Sequence, residues 1–69
     1  MTRIIFLGQN IKKYREQKGL SQNQLAELAD LSREHIGSVE TGKDFLSLRK
    51  LFKIADILET PVKNFFDFD

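Results

Sequence analysis

Arg33, Glu34 and Ser38 are the side chains of this 69-residue sequence whose types and spacing could read the edge of a base pair. They share one face of a short helical stretch, on the side away from Ile36. An arginine there can donate two parallel bonds to guanine O6 and N7, a glutamate can accept from cytosine N4, and a serine hydroxyl can serve either base. One good bidentate pair discriminates between bases by about 1–3 kcal/mol. His35 flanks the same surface; it could reach a base or a phosphate, and it reads equally well as an ordinary helix-surface histidine. Gln22, Ser32 and Arg49 are expected against phosphate oxygens, Gln22 through its amide and the free N–H groups of a helix start. Arg49 and Lys50 put positive charge in the first turn of a helix, which its dipole disfavours by roughly 0.3–1 kcal/mol. A phosphate would offset that cost, although exposed basic side chains also tolerate it in water.

The elements that must position these residues are spelled between Ser21 and Gly42, SQNQLAELADLSREHIGSVETG. Ser21 stands as the N-cap of a helix over about Gln22 to Ala29, with Leu25, Leu28 and Ala29 as its buried stripe. Ala26 is small enough to let a second helix cross closely. Asp30 and Leu31 turn the chain, and Ser32 caps a second helix of about Arg33 to Thr41, anchored by Ile36 and Val39. Gly42 closes that helix by tolerating a left-handed backbone. So short a connection forces a steep crossing, the geometry of a helix-turn-helix.

The flanking sequence predicts three more helices and no strand. Leu7, Ile11 and Tyr14 write a first helix from about Leu7 to Lys18, stopped by Gly19, with Tyr14 as an aromatic at the edge of the core. Ser47 caps a fourth that runs to about Leu58 on Leu51, Ile54, Ala55 and Leu58. Thr60 and Pro61 open a short fifth helix, with proline at its favoured first position. The expected architecture is all-α, five helices in one domain over residues 1–69, with residues 1–6 as an arm and 67–69 as a tail.

Composition supports a small domain that buries apolar surface economically and is often completed by self-association. There is no cysteine, so neither a disulfide framework nor a thiolate zinc site is available. No apolar run approaches the roughly 20 residues of a membrane span, and Ile4-Ile5-Phe6-Leu7 is too short for a signal core. The cytoplasm is therefore the default compartment. Net charge is only +1, but residues 1–21 carry Arg3, Lys12, Lys13, Arg15 and Lys18 against Glu16 alone. A positive end of this kind could orient the molecule on a polyanion; it could also be a solvated helix face.

Gly19-Leu20-Ser21-Gln22, Leu25-Ala26, Leu31-Ser32, Ile36 and Glu40-Thr41-Gly42 together resemble the pattern of the Cro/repressor-like (XRE-type) helix-turn-helix family. The likeness extends to Ile11 and Arg15 before that stretch, and to Leu51, Ile54-Ala55, Leu58 and Phe65 after it. The resemblance implies a lambda-repressor-like fold in which Arg33, Glu34 and Ser38 hold the base-reading positions. It places Thr41 and Lys43 at a phosphate, and it implies a salt bridge between Arg15 and Glu40 that ties the first helix to the end of the third. Small phage repressors and restriction-modification controller proteins have a similar build. The sequence departs from the family at Asp30, where glycine is usual, at Gly37 inside the reading helix, and at Leu46, where proline is common.

These readings converge on a regulator that binds double-stranded DNA in a sequence-specific way and acts as a homodimer on a palindromic operator. It would need no cofactor, metal or small-molecule effector, and would respond to its own concentration. Ile57, Phe66 and Phe68, with Ile4 and Ile5, are apolar residues without an evident internal place. Ile57, Phe66 and Phe68 are the expected dimer interface, unless Phe66 and Phe68 fold back over the core. Catalysis has little to stand on, since Ser32, His35 and Ser38 lack an acidic orienter and an enclosing pocket. The alternative reading is a protein-interaction module, such as the antitoxin partner of a toxin.

Overall fold

The computed structural model describes residues 3–67, which form five helices: α1 (Arg3–Gln17), α2 (Gln22–Ala29), α3 (Arg33–Glu40), α4 (Leu48–Leu58) and α5 (Val62–Phe65). No strand occurs among these residues. α1 and α2 both pack on α3, α4 packs on α2, and α5 closes the bundle against α1 and α4. The core they share is built from Ile11, Leu25, Ala26, Ala29, Ile36, Val39, Leu51, Ile54, Ala55, Leu58 and Phe65.

Each of the central helices starts on a serine cap. The Ser21 hydroxyl accepts from the Gln24 amide at 3.0 Å while the Gln24 side chain accepts from the Ser21 amide at 2.8 Å, a reciprocal capping box. Ser32 accepts from the His35 amide at 3.0 Å and Ser47 from the Lys50 amide at 3.2 Å. Two left-handed glycines, Gly19 at φ 79° and Gly42 at φ 81°, turn the chain after α1 and α3. Asp30 and Glu59 take the same conformation at φ 58° and 53°, without glycine's freedom. Glu59 also pairs with Lys18, joining the end of α1 to the α4–α5 turn. The hydrogen bond from Lys18, and then its charge, hold the Glu59 carboxyl below its ordinary range.

Four expectations are corrected. α1 begins at Arg3, so residues 3–6 are helix rather than an arm. The cause is its crossing with α3: a Cβ on Gly8 would lie 2.1 Å from the Val39 carbonyl oxygen and 2.9 Å from that of Glu40. One turn earlier, Ile5 packs so closely on Gly42 that a Cβ there would come within 2.5 Å of its Cγ1. Leu28, placed in the buried stripe of α2, is 54% exposed. Leu25, Ala26 and Ala29 lie within one narrow sector, and helical geometry puts Leu28 roughly 100° away from its centre. Pro61 is the extended residue before α5 (φ −60°, ψ 137°) rather than its first helical one. Ile57 is half-buried and packs on the core, so it does have an internal place.

Two substitutions test this account. Gly8→Ala forces a methyl into backbone that cannot rotate aside, and should cost about 3 kcal/mol or more in urea denaturation. Asp30→Gly removes the left-handed penalty and should stabilise by about 1 kcal/mol, raising the thermal midpoint by about 4–8 °C.

Candidate nucleic-acid interface

The ends of α1, α2 and α3 meet at a buried ion pair. Arg15 Nε donates to Glu40 Oε2 at 2.6 Å and its Nη2 to Oε1 at 3.1 Å, while Nη1 donates to the Leu20 carbonyl at 2.7 Å. Both residues are nearly inaccessible to solvent. Gln22 completes the group, its Nε2 donating to Glu40 Oε1 at 3.0 Å. Every buried side-chain polar atom among the described residues has a partner, as a low-dielectric interior requires. The first turn of α2 is thus fixed against the last turn of α3 through a side chain that also faces outward.

With Ile36, Val39 and Glu40 turned inward, α3 leaves Arg33 and Glu34 exposed and Ser38 half-buried on its outer side. Gly37 lies between these and Gln22, whose amide atoms a Cβ would meet at 3.7 and 3.8 Å, an ordinary contact. The structure thus sets Gly37 against the Gln22 amide, with Arg33 and Glu34 exposed and Ser38 half-buried on the same helix. His35 is on the flank of α3, its Nδ1 3.4 Å from a carboxylate oxygen of Asp44. Asp44 is in the loop after α3, where its other oxygen accepts from the Phe45 amide at 2.8 Å. Ser32 uses its hydroxyl as the α3 cap. Thr41 turns its hydroxyl back to the Gly37 and Ser38 carbonyls at 3.0 and 3.2 Å. Lys43 and Arg49 are exposed.

Lys50 behaves differently from its neighbour. Its ammonium donates to the Ala29 carbonyl at 3.0 Å and reaches that of Asp30 at 3.5 Å. The cation sits at the negative end of α2, where it satisfies orphan carbonyls, and no phosphate is needed to explain it. Asn10 has a matching role, donating from Nδ2 to the carbonyls of Phe65 and Asp67 at 2.9 and 3.0 Å. Neither contact, nor the close crossing at Gly8, was read from the sequence. Each joins residues far apart in the chain, and nothing local marks any of them. Phe66 is 47% exposed, and Phe68 lies outside the described residues.

Residues 11–64 match the helix-turn-helix family HTH_3. The chain belongs to this XRE-type helix-turn-helix family. It is 43% identical over 56 residues to the control protein C.SmaI of Serratia marcescens, covering 81% of this chain and 67% of that protein. Its fold superimposes on the restriction-modification controller protein C.AhdI of Aeromonas hydrophila with a TM-score of 0.89 at 35% identity, over 96% of this chain and all of the other. SinR of Bacillus subtilis, a transcriptional regulator, is 34% identical over 62 residues. A structure of SinR in complex with DNA matches at TM-score 0.82, over 88% of this chain and 98% of that one. The chain spans 56% of full-length SinR. The family and these relatives identify a DNA-binding regulator with the fold expected from the sequence.

Deleting half of the central ion pair strands the other half in a dry interior. Arg15→Ala should cost about 3–5 kcal/mol in chemical denaturation, whereas Arg15→Met combined with Glu40→Leu should cost much less. If the double variant were as damaged as the single one, a buried unpaired charge would not be the cause.

Proposed function

We propose that the chain binds operator DNA as a homodimer and regulates transcription from a two-fold symmetric site. The observation that carries this reading is α3 itself, which leaves Arg33 and Glu34 exposed and Ser38 half-buried while Ile36, Val39 and Glu40 are locked in the core. Arg33 and Glu34 occupy the first turn, the part of a recognition helix that enters the major groove. In this reading Arg33 takes a guanine edge and Glu34 a cytosine amine, with Ser38 one turn further along.

Gln22 meets the backbone or a neighbouring base, its free amide oxygen available while one N–H is held by Glu40. Lys43 and Arg49 hold phosphates with their charges, and Ser32 and Thr41 add weaker contacts through hydroxyl oxygens that already serve their own helix. His35 contributes at the edge of this surface, oriented by Asp44. A dimer whose two α3 helices lie about 34 Å apart would meet successive major grooves on one side of the duplex. No cofactor, effector or catalytic step is required by this reading. The regulator acts where DNA is, and no helix among the described residues is long and apolar enough to cross a membrane.

Selection of bound duplexes from a random pool at about 150 mM salt, where loose electrostatic binding is suppressed, tests the proposal. The expected product is a symmetric site with half-sites about one turn apart; absence of enrichment would favour a protein-interaction role instead. On the selected site, Arg33→Ala should weaken binding by about 1–3 kcal/mol and relax one base position. Lys43→Ala should weaken all sequences alike and lower the salt slope by about one. Equal losses on specific and random DNA for both variants would refute the division of roles.

A further inference from the structure

We propose that DNA binding by this chain is coupled to the uptake of a proton at His35, with Asp44 as the positioning residue that holds the imidazolium at the edge of the reading helix. This rests on the DNA-binding reading above and gives its interface a dependence on pH. His35 is the only histidine of the sequence, and there is no cysteine. Histidine is the side chain that ordinarily titrates between pH 5 and 8. Apart from a terminal amine, no other ionisable type in the sequence has its ordinary midpoint in that window.

The pair is restrained from both sides. The His35 amide donates to the Ser32 cap at 3.0 Å, and its ring Nδ1 lies 3.4 Å from Asp44 Oδ2. The other oxygen of Asp44 accepts from the Phe45 amide at 2.8 Å. The amides of Lys43 and Asp44 both donate to the Ser38 carbonyl, at 2.9 and 3.2 Å, which folds the loop back onto α3. Among the described residues no other carboxylate lies within 4.0 Å of the ring, so α1, α2 and α4 send it no ion-pair partner. The nearest charges along the chain are Arg33 and Glu34 before it on α3, and Lys43 before Asp44 in the loop. With side chains 33 and 47% exposed, the pair is half in water, where such a contact is worth little by itself.

A docked duplex changes that balance. Asp44 follows Lys43, a proposed phosphate contact, so a phosphate drawn to Lys43 brings negative charge towards a carboxylate that the loop holds in place. An imidazolium at His35 neutralises this carboxylate and adds a cation towards the phosphates; a neutral ring does neither. Displacing water from the half-exposed pair lowers the local dielectric and strengthens the attraction to both anions. Loss of water by itself favours the neutral ring, but with a carboxylate at 3.4 Å and phosphates beyond it, the anions decide the sign. The bound state therefore favours the protonated ring more than the free state does, and by linkage protonation favours binding. The added affinity is fully present below the midpoint of the free chain and is lost as pH rises through the higher midpoint of the complex.

The single histidine makes the test direct. In isotopically labelled protein its ring Cε1–H gives one signal, which can be followed against pH in the free chain and in the complex with the symmetric duplex enriched by the selection above. The midpoint should be higher in the complex by about one pH unit, which corresponds to at most about tenfold in affinity. At constant ionic strength the dissociation constant should accordingly rise about fivefold from pH 6 to pH 8. His35→Gln should abolish most of that rise. Asp44→Asn, which keeps an oxygen for the Phe45 amide, should at least halve it. Equal midpoints in the free and bound wild type, or a His35→Gln chain with the wild-type pH profile, would overturn the coupling and leave the DNA-binding reading standing. An Asp44→Asn chain with the wild-type profile would overturn the role given to Asp44. A wild type that binds no duplex at either pH would overturn the coupling and the DNA-binding reading together.

Discussion

The buried pair of Arg15 and Glu40 is the constraint from which the reading surface follows. A carboxylate without solvent must have its charge met and its lone pairs filled, and Glu40 obtains this from a bidentate guanidinium and the Gln22 amide. Those donors come from α1 and α2, so the last turn of α3 can occupy only the position that satisfies both. The pair is a weak source of net stability, because desolvation consumes most of the attraction. Its contribution is to specify one register among the possible packings of three short helices. Gly8 makes that register reachable by letting α1 lie directly against the α3 carbonyls.

The fold was largely legible because its signals are local. Serine caps, left-handed turn residues and the inward runs Leu25-Ala26-Ala29 and Ile36-Val39 act within a few residues of one another. Asp30 could be read as a left-handed turn despite replacing glycine, and its φ of 58° agrees. Where long-range packing decides, the sequence was less informative. The start of α1 depends on Val39, Glu40 and Gly42, more than thirty positions away, so a helix beginning at Leu7 was the natural expectation. Leu28 and Ile57 exchanged places for a related reason: a leucine looks buried and a surplus isoleucine looks free until the neighbouring helices are in position.

The candidate site divides along the same line. Ile36 and Val39 point inward as their spacing predicts, and the same helix leaves Arg33 and Glu34 exposed and Ser38 half-buried. Side chains that serve two masters could not be read from spacing. Gln22 was read as a phosphate contact and is also a ligand of the buried carboxylate; Thr41 returns its hydroxyl to its own helix; Lys50 completes α2 while Arg49, its neighbour, stays in solvent. The surface proposed to meet DNA and the network that holds the fold therefore share the Gln22 side chain.

The brevity of α3 has a consequence for how the protein behaves over time. Eight residues with a glycine among them are too few to remain helical in water, so α3 persists only while α1 and α2 hold it. Its amide protons should exchange with the slow, whole-molecule opening rather than by fraying. Binding competence then tracks the folded population, and warming or proteolysis that trims this population would lower occupancy of the proposed DNA site in proportion. A reading helix built this way carries its upper temperature limit in the stability of the core that holds it.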